Sequence, residues 1–397
     1  MESIHPQQQA IRAVFMRGGT SKALVFHRKD LPQDRADWDA IFLAAMGSPD
    51  PNGRQLDGMG GGLSSLSKVC VIEKSAHPDA DIDYLFGQVE MHAARVDYAG
   101  SCGSMASAIG PFAADEGLVP VPQDGDAVVR IRDVNADKLI ISRFRMRGGR
   151  ACVDGDFAVD GIAGSGSPVR IAFLSPAGAA TGKVLPMGVP VSEINVAGVG
   201  RIAYSFVDAA NPVMFVAAES IGLSGSELPD AIEAVPGLLG TIERIRRHVT
   251  VAAGAAPDLE AAGAVSLPRI AFVARSARSP IISGGMLEQE DTDIIIRMIG
   301  RGRPHLAVPI TTALCLAVAC KIPGTIPRGL LSARAAAGGD IIIGHPSGAW
   351  TMAAEVDDEA GRIDVRSASA VMTARRLFQG EVMVPSAVMA RLRAMPV

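Results

Sequence analysis

Short runs rich in Val, Ile and Phe recur along the chain and are bounded by Gly, Pro, Asp and Ser. They predict strands over 11–16, 23–27, 68–73, 83–89, 128–131, 139–145, 201–207, 213–217, 269–273 and 340–343. Few helices stand between them. Residues 35–46 read as amphipathic, with Trp38, Ile41, Phe42 and Ala45 on one face. Residues 238–251 form a second candidate, with Glu243, Arg244, Arg246 and Arg247 on the outer side. Two further segments, 103–118 and 311–322, have helical length and are apolar almost all round, the pattern of a helix buried on every side. The pattern therefore predicts an α/β or α+β chain in two similar halves, taken as 1–185 and 186–397, each wrapping β-structure around one buried helix. Residues 178–200, rich in Gly, Pro and Val, are the expected crossover, and 253–265 an expected surface loop.

Composition narrows the function classes. The 397 residues are 48% hydrophobic and 20% charged, which excludes a disordered chain. Lys and Arg number 38 against 42 Asp and Glu, so no global positive field exists to hold a phosphate backbone, and 4% aromatic content offers few stacking platforms. Nucleic acid is not an expected partner. The five cysteines form no CxxC pair, which argues against a disulfide scaffold or zinc ribbon. The opening MESIHPQQQA lacks the basic-then-apolar pattern of a signal peptide, and no uncharged apolar run reaches the roughly 18 residues of a membrane span. A cytoplasmic protein with no membrane partner is the expectation.

Several motifs carry candidate chemistry. Met16-Arg-Gly-Gly-Thr-Ser-Lys22 follows a strand. Its glycines permit close backbone approach, and Arg17, Thr20, Ser21 and Lys22 could seat an anion; a turn with solvated charges fits equally well. In Gln55-Leu-Asp-Gly-Met-Gly-Gly-Gly-Leu-Ser-Ser-Leu-Ser-Lys68 a Gly- and Ser-rich loop delivers one lysine to an apolar strand. It could be a flexible linker, but a desolvated lysine beside such a strand can act as a base near neutral pH. In Asp97-Tyr-Ala-Gly-Ser-Cys-Gly-Ser104, Cys102 lies between glycines at the mouth of the first buried helix, where a helix N-terminus stabilises thiolate. Cys70, Cys152 and Cys320 read as inert core. Arg301-Gly-Arg-Pro-His-Leu-Ala-Val-Pro-Ile-Thr-Thr312 precedes the second buried helix. Thr311 and Thr312 are expected as its N-caps and as a second anion seat, His305 as either a ligand contact or a satisfied core histidine, and Cys315 as core packing. Ile343-Gly-His-Pro-Ser-Gly348 reads as a structural turn ahead of the alternative, a His345 that faces a pocket. No HExxH, GxGxxG or GxSxG occurs where it would matter, so neither metal nor nicotinamide nor flavin is indicated.

Taken together these motifs resemble the PrpF / methylitaconate isomerase family over almost the whole chain. The matching pieces are MRGGTSK at 16–22, GSPD at 47–50, Gln55-Leu-Asp-Gly58, SK at 67–68, VDYxxxCG at 96–103, GPF at 110–112, ATGKVLP at 180–186, DxANP at 208–212, IPGT at 322–325 and GHPSG at 344–348. The resemblance implies the α+β diaminopimelate-epimerase-like fold, two pseudo-symmetric halves, each a curled sheet around a central helix. It implies a cofactor-independent isomerase that moves a C=C bond by a 1,3-allylic proton shift in a small unsaturated di- or tricarboxylate, with 2-methylaconitate first and 4-oxalomesaconate, 3-methylitaconate or aconitate as alternatives. Carried over, the acid/base residues are Lys68 and Cys102. The expected substrate contacts are Arg17, Thr20, Ser21, Lys22, Ser67, Ser101, Gly103, Ser104, His305, Thr311 and Thr312. The oligomeric state stays open, a homodimer included.

The chain departs from the family's pattern at three places. The usual NCGN is Ser101-Cys-Gly-Ser104, and serine is shorter and lacks the amide donor. The lysine of GTSKG is followed by Ala23. Pro309-Ile310 precede Thr311 where a Gly-Thr pair is usual. Two other readings compete: a racemase of the same fold with Cys315 opposing Cys102, and a non-catalytic carboxylate-binding protein.

Overall fold

The computed structural model describes residues 7–300, 302–359 and 362–394; Arg301 of the fourth motif lies outside them. The chain divides into two compact units. The first holds the residues up to Ala158, Gly164–Ile171 and the chain from Met372 on; the second holds Val159–Ala163 and Ala172–Val371. This differs from an expected break at 185/186. The strand Pro168–Leu174 and the 24-residue strand Arg362–Pro385 each give residues to both units, so the last stretch of chain returns to the first. Of the expected crossover, Ser192–Val196 is a strand paired within the second unit.

In the first unit, β1 (Gln8–Gly18) and β2 (Ser21–His27) form a hairpin. β3 (Lys68–Lys74) runs parallel to β2, and β4 (Ile82–Val89) antiparallel to β3. β5 (Val96–Asp97) pairs with the end of β4, β6 (Gly125–Asp133) runs parallel to β4, and β7 (Lys138–Arg147) antiparallel to β6. Strand alternation separates two faces. Leu24, Phe26, Val69 and Val71 join Ile41 and Phe42 of the outer helix α1 (Trp38–Met46) in one apolar cluster. Lys68, Cys70 and Ile72 therefore face the other way. On that side lies α2 (Gly103–Asp115), buried from Gly103 to Ala114 and packed on β1, β2, β6 and β7. Gly110 is obligatory there, since a Cβ would collide with Ser142 and Phe144 of β7.

The second unit repeats the order of pairings. Strands Gly200–Ala209 and Asn211–Ala217 form a hairpin. Arg269–Arg275 is parallel to the latter, Ile294–Gly300 antiparallel to that, Ile341–His345 parallel again, and Gly348–Glu359 antiparallel. The helix Ile310–Lys321 is buried from Ile310 to Cys320 and packs on Gly200–Ala209, Asn211–Ala217 and Gly348–Glu359. The α+β reading, with a wholly buried helix in each half, matches the structure. Among the described residues no helix is long and apolar enough to cross a membrane.

Three local expectations fail. Arg246 is not on the outer side of its helix (Leu238–Ala252): it is buried and donates to the carbonyls of Ala262 and Val265 as well as to Glu243. The segment that receives it, expected as plain surface loop, carries the one-turn helix Ala261–Ala264. Nor are Thr311 and Thr312 N-caps. Pro309 occupies that position with φ −61° and ψ 139° and no side-chain cap bond, because proline is pre-set for the extended entry and has no N–H to satisfy.

Candidate active site

Lys68 is the first residue of β3 and is 8% exposed. The Gly-rich segment before it is not a loose linker. Asp50 accepts hydrogen bonds from the backbone N–H groups of Asn52, Arg54 and Gln55, which hold its carboxyl below the usual range. Gln55 is fully buried at φ +54°, and its amide donates to Ser48 Oγ (2.8 Å) and Ser67 Oγ (2.7 Å) while accepting from Gly62 N–H (3.1 Å). A Cβ on Gly60 would overlap that amide. Ser67 Oγ in turn donates to the Val89 carbonyl at 2.9 Å. GSPD, Gln55 and Ser67 thus form a buried polar clamp that fixes where β3 begins.

The antiparallel register sets Lys68 opposite Gln88, Cys70 opposite Phe86 and Ile72 opposite Tyr84. Lys68 Nζ donates to Gln88 Oε1 at 2.6 Å and lies 4.9 Å from the Phe86 ring centroid. Further along the same face, Tyr84 Oη donates to the Cys102 carbonyl at 3.2 Å. Cys102 is the N-cap of α2, extended at φ −121° and 8% exposed. On the face of β3 that carries Lys68 lies Cys70, whose thiol is pushed up by burial and then by Cys102, and pulled down by Tyr84 and Lys68. Tyr84 thus links the face that carries Lys68 and Cys70 to the backbone of Cys102. Burial, then Cys70, Cys102 and Asp133, keep the Tyr84 phenol well above its ordinary range.

The Cys102 loop is anchored from beneath. Asp133 ends β6, is 1% exposed, and accepts at Oδ1 from the N–H groups of Asn135 and Ala136. Burial pushes its carboxyl up to about 6 despite those bonds and one with the Ser101 side chain. Asn135 bonds Phe86 N–H, the Phe86 carbonyl and the Tyr98 carbonyl, tying β4 to the cysteine loop. Sequence reasoning missed Asp133, Asn135 and Gln88, since none lies in a glycine-rich motif; only the register of β3 with β4 exposes Gln88.

The MRGGTSK motif forms the tip of the β1–β2 hairpin, with Arg17 opposite Lys22 and Gly18 opposite Ser21. A Cβ at Gly18 would run into the Ser104 carbonyl oxygen and the Met105 Cα, so the tip rests directly on the first turn of α2. The motif's glycines serve this close approach. Arg17 donates to the carbonyls of Gly19 (3.2 Å) and Thr373 (2.9 Å), Lys22 lies over the Phe15 ring, and Ser21 is buried. Among the expected contacts, Ser67 and Ser101 have the internal partners already described. Thr20, Ser21, Gly103 and Ser104 belong to the hairpin tip or the helix mouth. A separate groove of about 520 Å³ in this unit runs between the 47–57 loop and the final helix and is lined by neither Lys68 nor Cys102.

The expected residues of the second half have their own partners. Thr311 Oγ1 accepts from Asn211 Nδ2 at 2.8 Å, and Thr312 Oγ1 lies 3.5 Å from Met298 Sδ. His305 is tied through its backbone N–H to the Met298 carbonyl and packs against Gly300. Cys315 is fully buried, its thiol turned onto the Val207 carbonyl and pushed up by burial. Asp208 receives the N–H groups of Ala180 and Thr181 and the Thr181 hydroxyl, which accounts for ATGK and DxANP as a structural pair. In the GHPSG turn, buried His345 packs on Trp350 and accepts from Ser347 N–H.

A family described as PrpF protein matches residues 8–385. The chain is 37% identical over 395 residues to a 2-methyl-aconitate isomerase of Cupriavidus necator, covering 96% of this chain and 98% of the relative. It is 38% identical over 384 residues to a 3-methylitaconate isomerase of Eubacterium barkeri, again covering 96% and 98%. The crystal structure of a methylitaconate-delta-isomerase superposes with a TM-score of 0.78 at 36% identity, over 96% of this chain and 97% of that one. A probable proline racemase from Agrobacterium radiobacter K84 shares the fold alone, with a TM-score of 0.56 at 13% identity. The chain belongs to the PrpF family and is an isomerase with the epimerase-like fold.

Proposed function

We propose that this member of the PrpF family moves a C=C bond by one position in 2-methylaconitate, through a 1,3-allylic proton shift carried by Lys68 and Cys102. What supports the acid/base assignment is geometry: Lys68 and Cys70 share one face of β3, and Tyr84, on the same face of β4, donates to the Cys102 carbonyl at 3.2 Å. The near full-length likeness to a 2-methyl-aconitate isomerase supports the substrate.

A C–H next to a carboxylate and allylic to a C=C is a very weak acid, and each pKa unit of mismatch with its base costs about 1.4 kcal/mol. In the proposed reaction the neutral Lys68 amine removes that proton. The C–H electron pair moves into the C=C as a dienolate, and the Cys102 thiol delivers a proton to the far carbon. One C–H bond breaks, one forms, and no oxidant or reductant is needed. In the reverse direction the two groups exchange roles. The mouth of α2 contributes preorganised N–H dipoles to the substrate carboxylate; one such donor is worth roughly 3–4 kcal/mol in the transition state.

The test is incubation in D2O with 2-methylaconitate, 3-methylitaconate, 4-oxalomesaconate and aconitate, followed by proton NMR. Loss of vinyl or methylene signals with 2-methylaconitate, faster than with the others, is the expected result. Faster exchange with another acid replaces the substrate, and no exchange with any of them leaves a carboxylate-binding protein.

A further inference from the structure

Gln88 stands directly opposite Lys68 in the β3–β4 ladder and is 7% exposed. Its Nε2 donates to the Ser67 carbonyl at 2.7 Å and the Ser64 carbonyl at 3.1 Å. An amide turned over would aim Oε1 at those two carbonyls, two repulsions in place of two hydrogen bonds. The orientation is thereby fixed, with Oε1 toward Nζ. The frame holding it is fixed as well: Ser64–Leu66 is the short 3-10 turn just before Lys68, and Ser67 is locked by Gln55 and Val89. An amine that gives one N–H to an immobile acceptor loses its free rotation, so its remaining directions, the lone pair included, are set.

We propose that Gln88 is a positioning residue for Lys68, aiming Nζ and setting the balance between its amine and ammonium forms. The proposal rests on the assignment of Lys68 as a proton carrier. A neutral carbonyl oxygen at 2.6 Å is a middle setting. A carboxylate in its place would hold the ammonium form to higher pH, and an apolar side chain would release it at lower pH.

The experiment compares wild type, Gln88→Met and Gln88→Glu as full-length proteins. It uses 2-methylaconitate as the probe, pH profiles of kcat and kcat/KM, and thermal melts to confirm folding. For Gln88→Met the expected result is a kcat lower by roughly 10- to 100-fold with KM within about threefold, and an acidic limb moved to lower pH. For Gln88→Glu the limb moves up by about one unit or more. Losses of activity with the limb unmoved in both variants, or wild-type behaviour in both, overturn the proposal. Should Gln88→Glu fail to fold because its carboxylate meets the Ser64 and Ser67 carbonyls, the Met variant decides alone. Lys68→Met is the control. If it still exchanges protons, the base assignment falls; if it is inactive while the Gln88 variants behave as wild type, only the positioning role falls.

Discussion

In the first half the hairpin tip reaches its central helix through Gly18, which admits the Ser104 carbonyl because it has no Cβ. In the second half the equivalent hairpin, turning at Ala210 with φ +61°, reaches its helix through a hydrogen bond from Asn211 to Thr311. The first helix is capped by a cysteine and the second by a proline. The strand that begins on buried Lys68 corresponds in pairing order to one that begins on Arg269. One scaffold is thus finished in two ways. At the second mouth Thr311 is bonded to Asn211, whereas at the first Cys102 caps the helix and Tyr84, on the face that carries Lys68 and Cys70, reaches its carbonyl. On the proposed assignment the chemistry comes from a few replaced side chains, while strand order and a buried helix are common to both halves.

The largest test of that contrast uses the two helix cysteines. Cys102→Ala should lose about 10³-fold in isomerisation rate, within the range for a lost proton-transfer group. Cys315→Ala should stay within about threefold, since that thiol already faces the Val207 carbonyl. Equal losses measured by steady-state kinetics would break the contrast and revive a two-cysteine racemase-like mechanism.

Next in size is a difference in how pH acts on each half. Asp133 has a folded value of about 6 against 3.8 ordinarily, so the folded state favours the protonated acid. Its contribution is complete below pH 3.8 and is lost as pH rises through 6, a change of about 3 kcal/mol. Asp133→Asn should match wild type in urea unfolding near pH 4 and exceed it at pH 8; equal slopes would contradict this. In the second half, burial first and then Arg297 push His345 down to about 3 from 6.5, so its contribution is complete above pH 6.5 and falls away below it. Hydrogen exchange read half by half should show acid loosening the second half and alkali the first.

Smaller effects come from the hairpin tips. Gly18→Ala meets backbone it cannot displace, and should cost roughly 2 kcal/mol and more than tenfold in activity by shifting the Cys102 mouth. Asn211→Ala removes one hydrogen bond to Thr311 and should cost about 1 kcal/mol in thermal stability, with activity within about threefold. A larger activity loss for Asn211→Ala than for Gly18→Ala would reverse the roles of the halves.

Much of this was legible along the chain. The expected segments 103–118 and 311–322 contain the buried helices Gly103–Asp115 and Ile310–Lys321, because almost no polar face exists to turn outward. Lys68 and Cys102 stood out because small residues surround them. What stayed hidden depends on partners distant in sequence. Arg246 carries a surface residue's charge, yet its guanidinium is matched by carbonyls of a later loop. Thr311 and Thr312 have good capping chemistry, but Pro309 starts the helix two residues early. Gln88 and Asp133 lie in ordinary strand patterns, and only strand register gives them neighbours. The boundary between the units was also invisible, because it depends on a strand near the chain's end pairing with β1.

The most direct measurement is deuterium incorporation by Lys68→Met with 2-methylaconitate in D2O, read by NMR on recovered substrate and product beside wild type. The account predicts incorporation no faster than without enzyme, in a protein that melts like wild type. Labelling at close to the wild-type rate would contradict it.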